Sequence, residues 1–268
     1  MRKSAPRKLI IFDYSGTLST DAPRFGRREN LVSALRESGL AGFGIADAET
    51  FWRKIVSPTW EQGSTTKVGY AHLIVQAVNE LNPSCKGKES ETEKAAARFV
   101  AMYLDHSRID PAWRPLLEKL NSDRYAVVVI ATDHYAEATK MIIDCLEDWG
   151  IRALRAYPLS GNRDRGYFFV ANSADLGCWK RDACFWEKLK EKLPADRFGS
   201  VFVVDDFGFN EAAEDDYGES ARVSERRRKT EAVLRDIFQT KIEVIPFFLT
   251  KDETGDKDKQ IRKITGMI

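Results

Sequence analysis

Four short segments hold residue types able to do chemistry, and most follow an apolar run. The first is Asp13-Tyr14-Ser15-Gly16-Thr17-Leu18, after Leu9–Phe12. A carboxylate delivered by a strand end can attack an electrophilic phosphorus or carbon. Gly16 lets the next turn bend sharply and bring backbone N–H groups close to an anion. The second is Thr132-Asp133, after Tyr125–Ala131. Its hydroxyl can hydrogen-bond a phosphate oxygen, and equally can cap the helix that follows. The third is Gly177-Cys178-Trp179-Lys180, ahead of a helical pattern containing Phe185, Trp186 and Leu189. A lysine there can neutralise charge on a nucleophile and on a transferred group. The fourth is Asp205-Asp206-Phe207-Gly208-Phe209-Asn210, after Val201–Val204. Adjacent carboxylates repel unless a cation sits beside them, and hard oxygen ligands in that setting suit Mg²⁺. Each segment alone has a plainer reading as an Asp-rich turn, a helix cap or a surface lysine.

These residues need elements that bring them together. Leu9–Phe12, Tyr125–Ala131 and Val201–Val204 read as buried parallel strands, and Ile242–Phe248 as a fourth. Ligands of open parallel sheets bind outside the carboxyl ends of the strands, so the first three endings converge on one site. Helical spacing of apolar residues appears over Asn30–Ser38, Ala48–Val56, Lys67–Leu81 and Thr92–Asp105. It recurs over Trp113–Leu120, Glu137–Trp149, Ala183–Leu193 and Arg228–Phe238. Between Leu18 and Asn121 no strand pattern occurs, and Pro111 reads as the start of a helix that returns the chain to the sheet. The expected organisation is a doubly wound α/β core, residues 1–18 and 109–268, with a helical domain inserted at 19–108. The charged stretches Glu214–Lys229 and Lys251–Lys263 read as solvated surface.

Composition bounds the function classes. The chain has 268 residues and a net charge of +1, which argues against a protein that coats nucleic acid or an acidic membrane. Hydrophobic residues at 43% and charged residues at 31% fit a soluble globular protein. The run Tyr125–Ala131 is far too short for a membrane span. Met1–Lys8 is basic like the start of a secretory signal, but the apolar run after it stops at Asp13. Cysteines 85, 145, 178 and 184 form no C-x-x-C pair and have no histidine at ligand spacing, so reduced thiols in a cytoplasmic protein are expected.

The four segments, in their order, resemble the four motifs of the haloacid dehalogenase superfamily. Asp13-x-x-Gly16-Thr17-Leu18 is similar to its first motif, Thr132 to its second, Ala174–Lys180 to its third and Asp205-Asp206 to its acidic fourth. Where that family often has Pro after the lysine, this chain has Arg181. The insertion 19–108 is similar in size and helical character to the cap of many members. The resemblance implies a Rossmann-like core and a hydrolase acting on a small phosphorylated substrate through a covalent intermediate on Asp13. It implies Mg²⁺ held by Asp13, the backbone carbonyl of Ser15, Asp205 and Asp206. It implies Thr132 and Lys180 holding the transferring group, with Gly16, Ser15 and Asp133 around it. No nucleic-acid or membrane partner is expected.

One departure bears on the activity. Phosphatases of the family carry Asp two residues after the nucleophile, as acid to the leaving group and then base to water; this chain has Ser15. A serine hydroxyl does not supply that function at neutral pH, and general acid–base help is typically worth about 10²–10⁴-fold. The family's dehalogenases need no metal, and Asp205-Asp206 counts against that reaction. Phosphonatases need a cap lysine, for which Lys54 and Lys67 are available. The membrane helices of P-type ATPases are absent. His134, Asp133 and His106 are the substitutes weighed for the missing acid. A catalytically silent member that binds a phosphorylated ligand or a protein is the alternative from another class, and it would have no need of Asp13. Phe51-Trp52 and Thr59–Thr66 are candidate contributors to substrate selection.

Overall fold

The structure is a computed structural model and describes residues 7–83, 87–157, 166–194, 197–210, 220–249 and 253–268. Six strands form one parallel sheet: β1 (Lys8–Asp13), β2 (Ala126–Thr132), β3 (Ala153–Arg155), β4 (Phe168–Asn172), β5 (Ser200–Asp205) and β6 (Lys241–Pro246). Their order is β3-β4-β2-β1-β5-β6. β1 lies between β2, with Asp13 beside Ala131, and β5, with Phe12 beside Val204. From β1 the chain passes to β2 and on to the edge strand β3, returns to β4 between them, then crosses to the other side of β1 for β5 and β6. The end of β1 is therefore the point where the winding reverses, which is where open α/β sheets bind ligands.

Among the described residues, helices between β1 and β2 are α1 (Asp21–Phe25), α2 (Arg28–Ser38), α3 (Ala48–Thr50), α4 (Ser57–Thr65), α5 (Tyr70–Leu81) and α6 (Glu89–His106). α7 (Arg114–Ser122) then leads into β2. After it come α8 (Glu137–Glu147), α9 (Ser173–Leu176), α10 (Ala183–Lys190), α11 (Ser220–Phe238) and α12 (Glu253–Met267). Successive strand residues point to opposite faces, so one run of apolar residues serves two cores. Ile10, Phe12, Val128, Ile130 and Val204 pack with Leu116 and Leu117 of α7, Ile142 and Leu146 of α8, and Ile261 and Ile264 of α12. Leu9, Ile11, Val127, Val129, Val201 and Val203 pack with Phe185, Trp186 and Leu189 of α10 and Leu234 and Phe238 of α11. The helices between β1 and β2 bury a separate cluster of their own, built on Leu31, Leu35, Phe51, Ile55, Leu73, Ile74, Phe99 and neighbours.

That helical segment joins the core through two strands of chain held side by side. Asp110 N–H donates to Leu18 O at 2.8 Å. The Asp110 carboxylate accepts from Thr20 Oγ1 at 3.0 Å, from Lys257 Nζ of α12 at 2.5 Å, and from Ala112 N at 2.9 Å. Trp113, fully buried against Phe12, donates its indole N–H to Thr17 O at 3.0 Å.

The doubly wound parallel core matches the sequence expectation, with differences that have physical causes. β3 and β4 are absent from the expected strands: β3 is three residues long and β4 five, too short for periodicity to declare them. Within Ala48–Val56 the helix is α only to Thr50, then widens to a π turn over Phe51–Val56 and continues as α4. Pro111–Trp113 is a 3₁₀ turn that precedes α7. Lys251–Lys263, expected as solvated surface, falls largely in α12, which buries Ile261 and Ile264 under the sheet. Of Glu214–Lys229, residues 214–219 lie outside the described residues, and the remainder is helical in α11.

Candidate active site

Asp13 ends β1 and is buried, 7% exposed. The chain then makes a tight turn: Ser19 N–H donates to Tyr14 O at 2.8 Å and Gly16 N–H to Ser19 O at 2.9 Å. The Gly16 N–H that the sequence offered to an anion is thus engaged within the turn. Gly16 has φ +77°, the left-handed region that glycine enters freely. A Cβ at this position would lie 2.5 Å from Asp206 Oδ2. The absent side chain is what lets the loop after β1 lie against the acidic end of β5. Ser15 is half-buried and pairs with Ser19 in an isolated bridge.

β5 delivers Asp205 and Asp206, both buried. Asp205 Oδ1 accepts from Phe207 N–H at 2.6 Å, and Asp205 Oδ2 from Lys180 Nζ at 3.2 Å. Asp206 N–H donates to Thr17 Oγ1 at 3.0 Å, tying the two loops together, and Asp206 Oδ2 accepts from Asn210 N–H at 2.9 Å. The Asn210 amide donates to Gly16 O at 2.7 Å and to Phe247 O at 2.8 Å, and its oxygen accepts from Leu249 N–H at 2.8 Å. Asn210 thereby joins the loops after β1, β5 and β6.

Lys180 arrives from the other side of β1. Asn172 caps α9, and Gly177, at φ +73°, turns the chain out of it toward Lys180. The Lys180 backbone is held at both ends: its N–H donates to Asp133 Oδ1 at 2.9 Å, and its carbonyl accepts from Trp186 Nε1 at 2.6 Å. The ammonium donates to Asp13 Oδ1 as well as to Asp205. Burial acts against that charge, but Asp13, Asp205 and Asp133 outweigh it and hold the lysine well above its usual value. Burial pushes the Asp13 carboxyl up to about 7, with Lys180 opposing and Asp205 adding to the rise. Thr132, buried at the end of β2, lies one residue beyond Ala131, the neighbour of Asp13.

The carboxylates of Asp13, Asp205 and Asp206 offer oxygens that all lie within 4.8 Å of one another. Three buried carboxylates against one ammonium leave an excess of negative charge in a poorly solvated place. The donors are hard oxygens, with no imidazole or thiol among them. That chemistry fits a divalent cation of the Mg²⁺ type.

Asp13, Gly16, Asp133, Lys180, Asp205 and Asp206 are thus interconnected. Other residues weighed from the sequence are placed elsewhere. His106 is exposed at the end of α6, its Nδ1 2.8 Å from Met102 O. Lys54 and Lys67 are exposed. His134 is buried, its Nε2 2.6 Å from Tyr103 Oη of α6, and its ring is stacked on that tyrosine. Burial lowers it to about 4, so it is neutral at neutral pH. Trp179 donates to Ser64 Oγ of α4 at 2.8 Å, and Tyr70 N–H of α5 to Glu137 Oε1 of α8 at 2.6 Å, further polar contacts between the helical segment and the core. The supporting roles of Thr17, Asn210 and Trp186 were not read from the sequence. Thr17 and Asn210 lie inside quoted motifs, whereas nothing local marks Trp186 as the clamp on Lys180.

No protein-family model matches the sequence, and no curated protein matches it. Among solved structures, the chain is similar to a 2-haloacid dehalogenase from Pseudomonas syringae pv. Tomato DC3000, at 17% identity and a TM-score of 0.50, covering 82% of this chain and 83% of that one. It also matches YfnB from Bacillus subtilis, described as a HAD-hydrolase and solved bound to magnesium, at 13% identity and a TM-score of 0.42, covering 75% and 79%. At these identities the likeness is one of architecture, and on the order of its sheet and its superposition on the dehalogenase the chain has the fold of the haloacid dehalogenase superfamily.

Proposed function

We propose that the chain is a Mg²⁺-dependent phosphohydrolase acting on a small phosphorylated metabolite, with residues 19–108 as a cap over the site. The observation that carries this reading is the buried cluster of Asp13, Asp205 and Asp206, with Lys180 bonded to two of them. Displacement of halide at carbon has no use for three converging acids. Asp13, the Ser15 carbonyl and Asp206 would hold the cation, with Asp205 beside them. When bound, Mg²⁺ neutralises charge on the transferring phosphoryl group.

The chain's own residues do the rest. An Asp13 oxygen attacks phosphorus as the bond to the leaving oxygen breaks, forming an aspartyl-phosphate. Water then attacks that phosphorus and releases phosphate, regenerating the carboxylate. Lys180 orients Asp13 and offsets charge on the group in flight, and Thr132 supplies a hydroxyl to it. Asp133 fixes Lys180 through its backbone N–H.

The test measures phosphate release from p-nitrophenyl phosphate and chloride release from 2-chloropropionate, each with Mg²⁺ and with a chelator. Mg²⁺-dependent phosphate release, lost in Asp13→Asn, is expected. Millimolar Mg²⁺ should raise the melting temperature, because binding to the native state alone stabilises it. Asp206→Ala should remove that rise. Chloride release that persists with chelator, without phosphate release, would replace the phosphohydrolase reading with a dehalogenase.

A further inference from the structure

One face of the sheet carries α10 and α11, bonded to each other where Lys190 Nζ donates to Ile237 O at 2.6 Å. A groove of about 610 Å³ lies between the two helices. Leu193, Val233 and Ile237 contribute its apolar lining. Glu187, Glu191 and Asp236 line it too, and all three are exposed. Among the described residues Lys190 is the one cation of the lining, and its ammonium is directed at the Ile237 carbonyl. Three carboxylates against one ammonium give the groove a negative sign.

α11 carries the opposite sign further along the same face. Arg222, Arg226, Lys229, Val233 and Ile237 are spaced by four, three, four and four residues, which puts them on one stripe of the helix. Arg222 and Lys229 are exposed and Arg226 is half-buried. Lys229 also pairs with Glu225 at 2.7 Å, within its own helix. The stripe is basic in the first half of α11, holds no carboxylate, and turns apolar where it enters the groove.

We propose that this face is a homodimer interface, in which α11 of two copies lies antiparallel across a two-fold axis near Glu231. Each copy places its Arg222, Arg226 and Lys229 in the acidic groove of the other. Arg226 and Asp236 are ten residues apart, about 15 Å along the helix axis. Reversing α11 about Glu231 brings each of them opposite the other. A two-fold contact must be self-complementary, since residue i meets j and j meets i. One helix bearing both halves of a charge pair, on one stripe, meets that condition. A foreign partner would need only one half. The inference does not rest on the hydrolase reading.

The long basic side chains suit this groove. Their aliphatic stems cover its apolar lining while their charged ends reach the acids at its rim. Ion pairs at a rim set orientation and the rate of encounter, and salt screens them. Covered Leu193, Val233 and Ile237 supply the salt-independent part of the association.

The test is sedimentation velocity of the full chain at concentrations up to about 100 µM. In about 50 mM NaCl it should show a species of twice 30.5 kDa, and about 500 mM NaCl should raise the dissociation constant. Arg226→Glu turns both symmetry-related pairs into repulsions and should raise that constant at least about tenfold. Asp236→Arg should do the same. Mixed in equal amounts, the two variants should dimerise again, because the hybrid restores an acid–base pair at both ends. That recovery also shows that neither variant has lost its fold. A parent that stays monomeric overturns the proposal. So does a dimer that neither substitution weakens, or a pair of variants that stay apart on mixing. Excess mass that a nuclease removes would make the basic stripe a nucleic-acid contact and overturn it too.

Discussion

At the scale of single residues, Ser15 sets the character of the site. Under the proposed phosphohydrolase reaction Asp13 attacks while Lys180 and the Asp205-Asp206 pair manage charge, but the position two after Asp13 lacks a carboxyl. Activated aryl esters, whose leaving oxygens need no proton, should be cleaved in preference to alkyl esters. Ser15→Asp should raise turnover of an alkyl phosphate by up to about 10²–10⁴-fold, and of p-nitrophenyl phosphate by less. Equal alkyl rates in parent and variant would mean that another group already supplies the proton. His134 is a poor choice for that group, because burial lowers it to about 4 and it is engaged by Tyr103. It bears instead on stability. Its folded value lies below the unfolded value of about 6.5, so the unfolded chain binds the proton first as pH falls. The contribution is whole above pH 6.5 and is lost on descent toward pH 4, to an extent of roughly 3 kcal/mol. Urea midpoints at pH 7, 6 and 5 should therefore fall more steeply for the parent than for His134→Gln. Parallel slopes would show that the imidazole is not held neutral by the fold.

At the scale of elements, the site is made by loops that follow β1, β2 and β5 and by the turn between α9 and α10. Gly16 decides how closely two of these loops approach. Gly16→Ala forces a left-handed φ on a residue with a Cβ and drives that atom onto Asp206. Each kcal/mol lost lowers the melting temperature of a chain this size by roughly 2–4 °C, and the Mg²⁺-induced rise should shrink with it. Gly42→Ala is the control, since a Cβ there meets no atom within 4 Å. Comparable melting temperatures for the two variants would show that the loop relaxes at no cost. Much of this arrangement was legible beforehand. β1, β2 and β5 are central strands buried on both faces, so they read as unbroken apolar runs that stop at polar residues. β3 and β4 fell below the length at which a pattern declares itself. α12 was hidden because seven of its fifteen residues are charged, with Ile261 and Ile264 the two residues that reach the core. The hold of Trp186 on Lys180 depends on where α10 packs, a tertiary fact that no local pattern records.

At the scale of the whole molecule, the helical segment packs on the sheet domain through Ser64, Tyr70 and Tyr103, and its two connecting stretches of chain are held together at one further point. Asp110 gathers both connecting strands and α12 there, through Leu18, Thr20 and Lys257. Burial opposes ionisation of this carboxyl, but Lys257, Ala112 N–H and Thr20 together hold it below its ordinary range. The clasp has a consequence in time as well as in space. β1 must find β2 with Lys8 beside Ala126, more than a hundred residues downstream. For an unstructured chain the entropy of such a closure grows with the logarithm of its length. A helical segment that has already collapsed around Leu35, Phe51, Leu73 and Phe99, with its two ends clasped at Asp110, presents β1 and β2 to each other as near neighbours. Removing the clasp should then slow refolding more than it speeds unfolding. Loss of about 1 kcal/mol felt wholly in the transition state corresponds to about a fivefold slower rate. Stopped-flow refolding of Asp110→Ala should show that retardation. A change confined to the unfolding limb would place formation of the clasp after the sheet has closed. If the retardation is found, the long detour between the first two strands is a scaffold that folds ahead of the sheet and shortens the search by which the sheet is made.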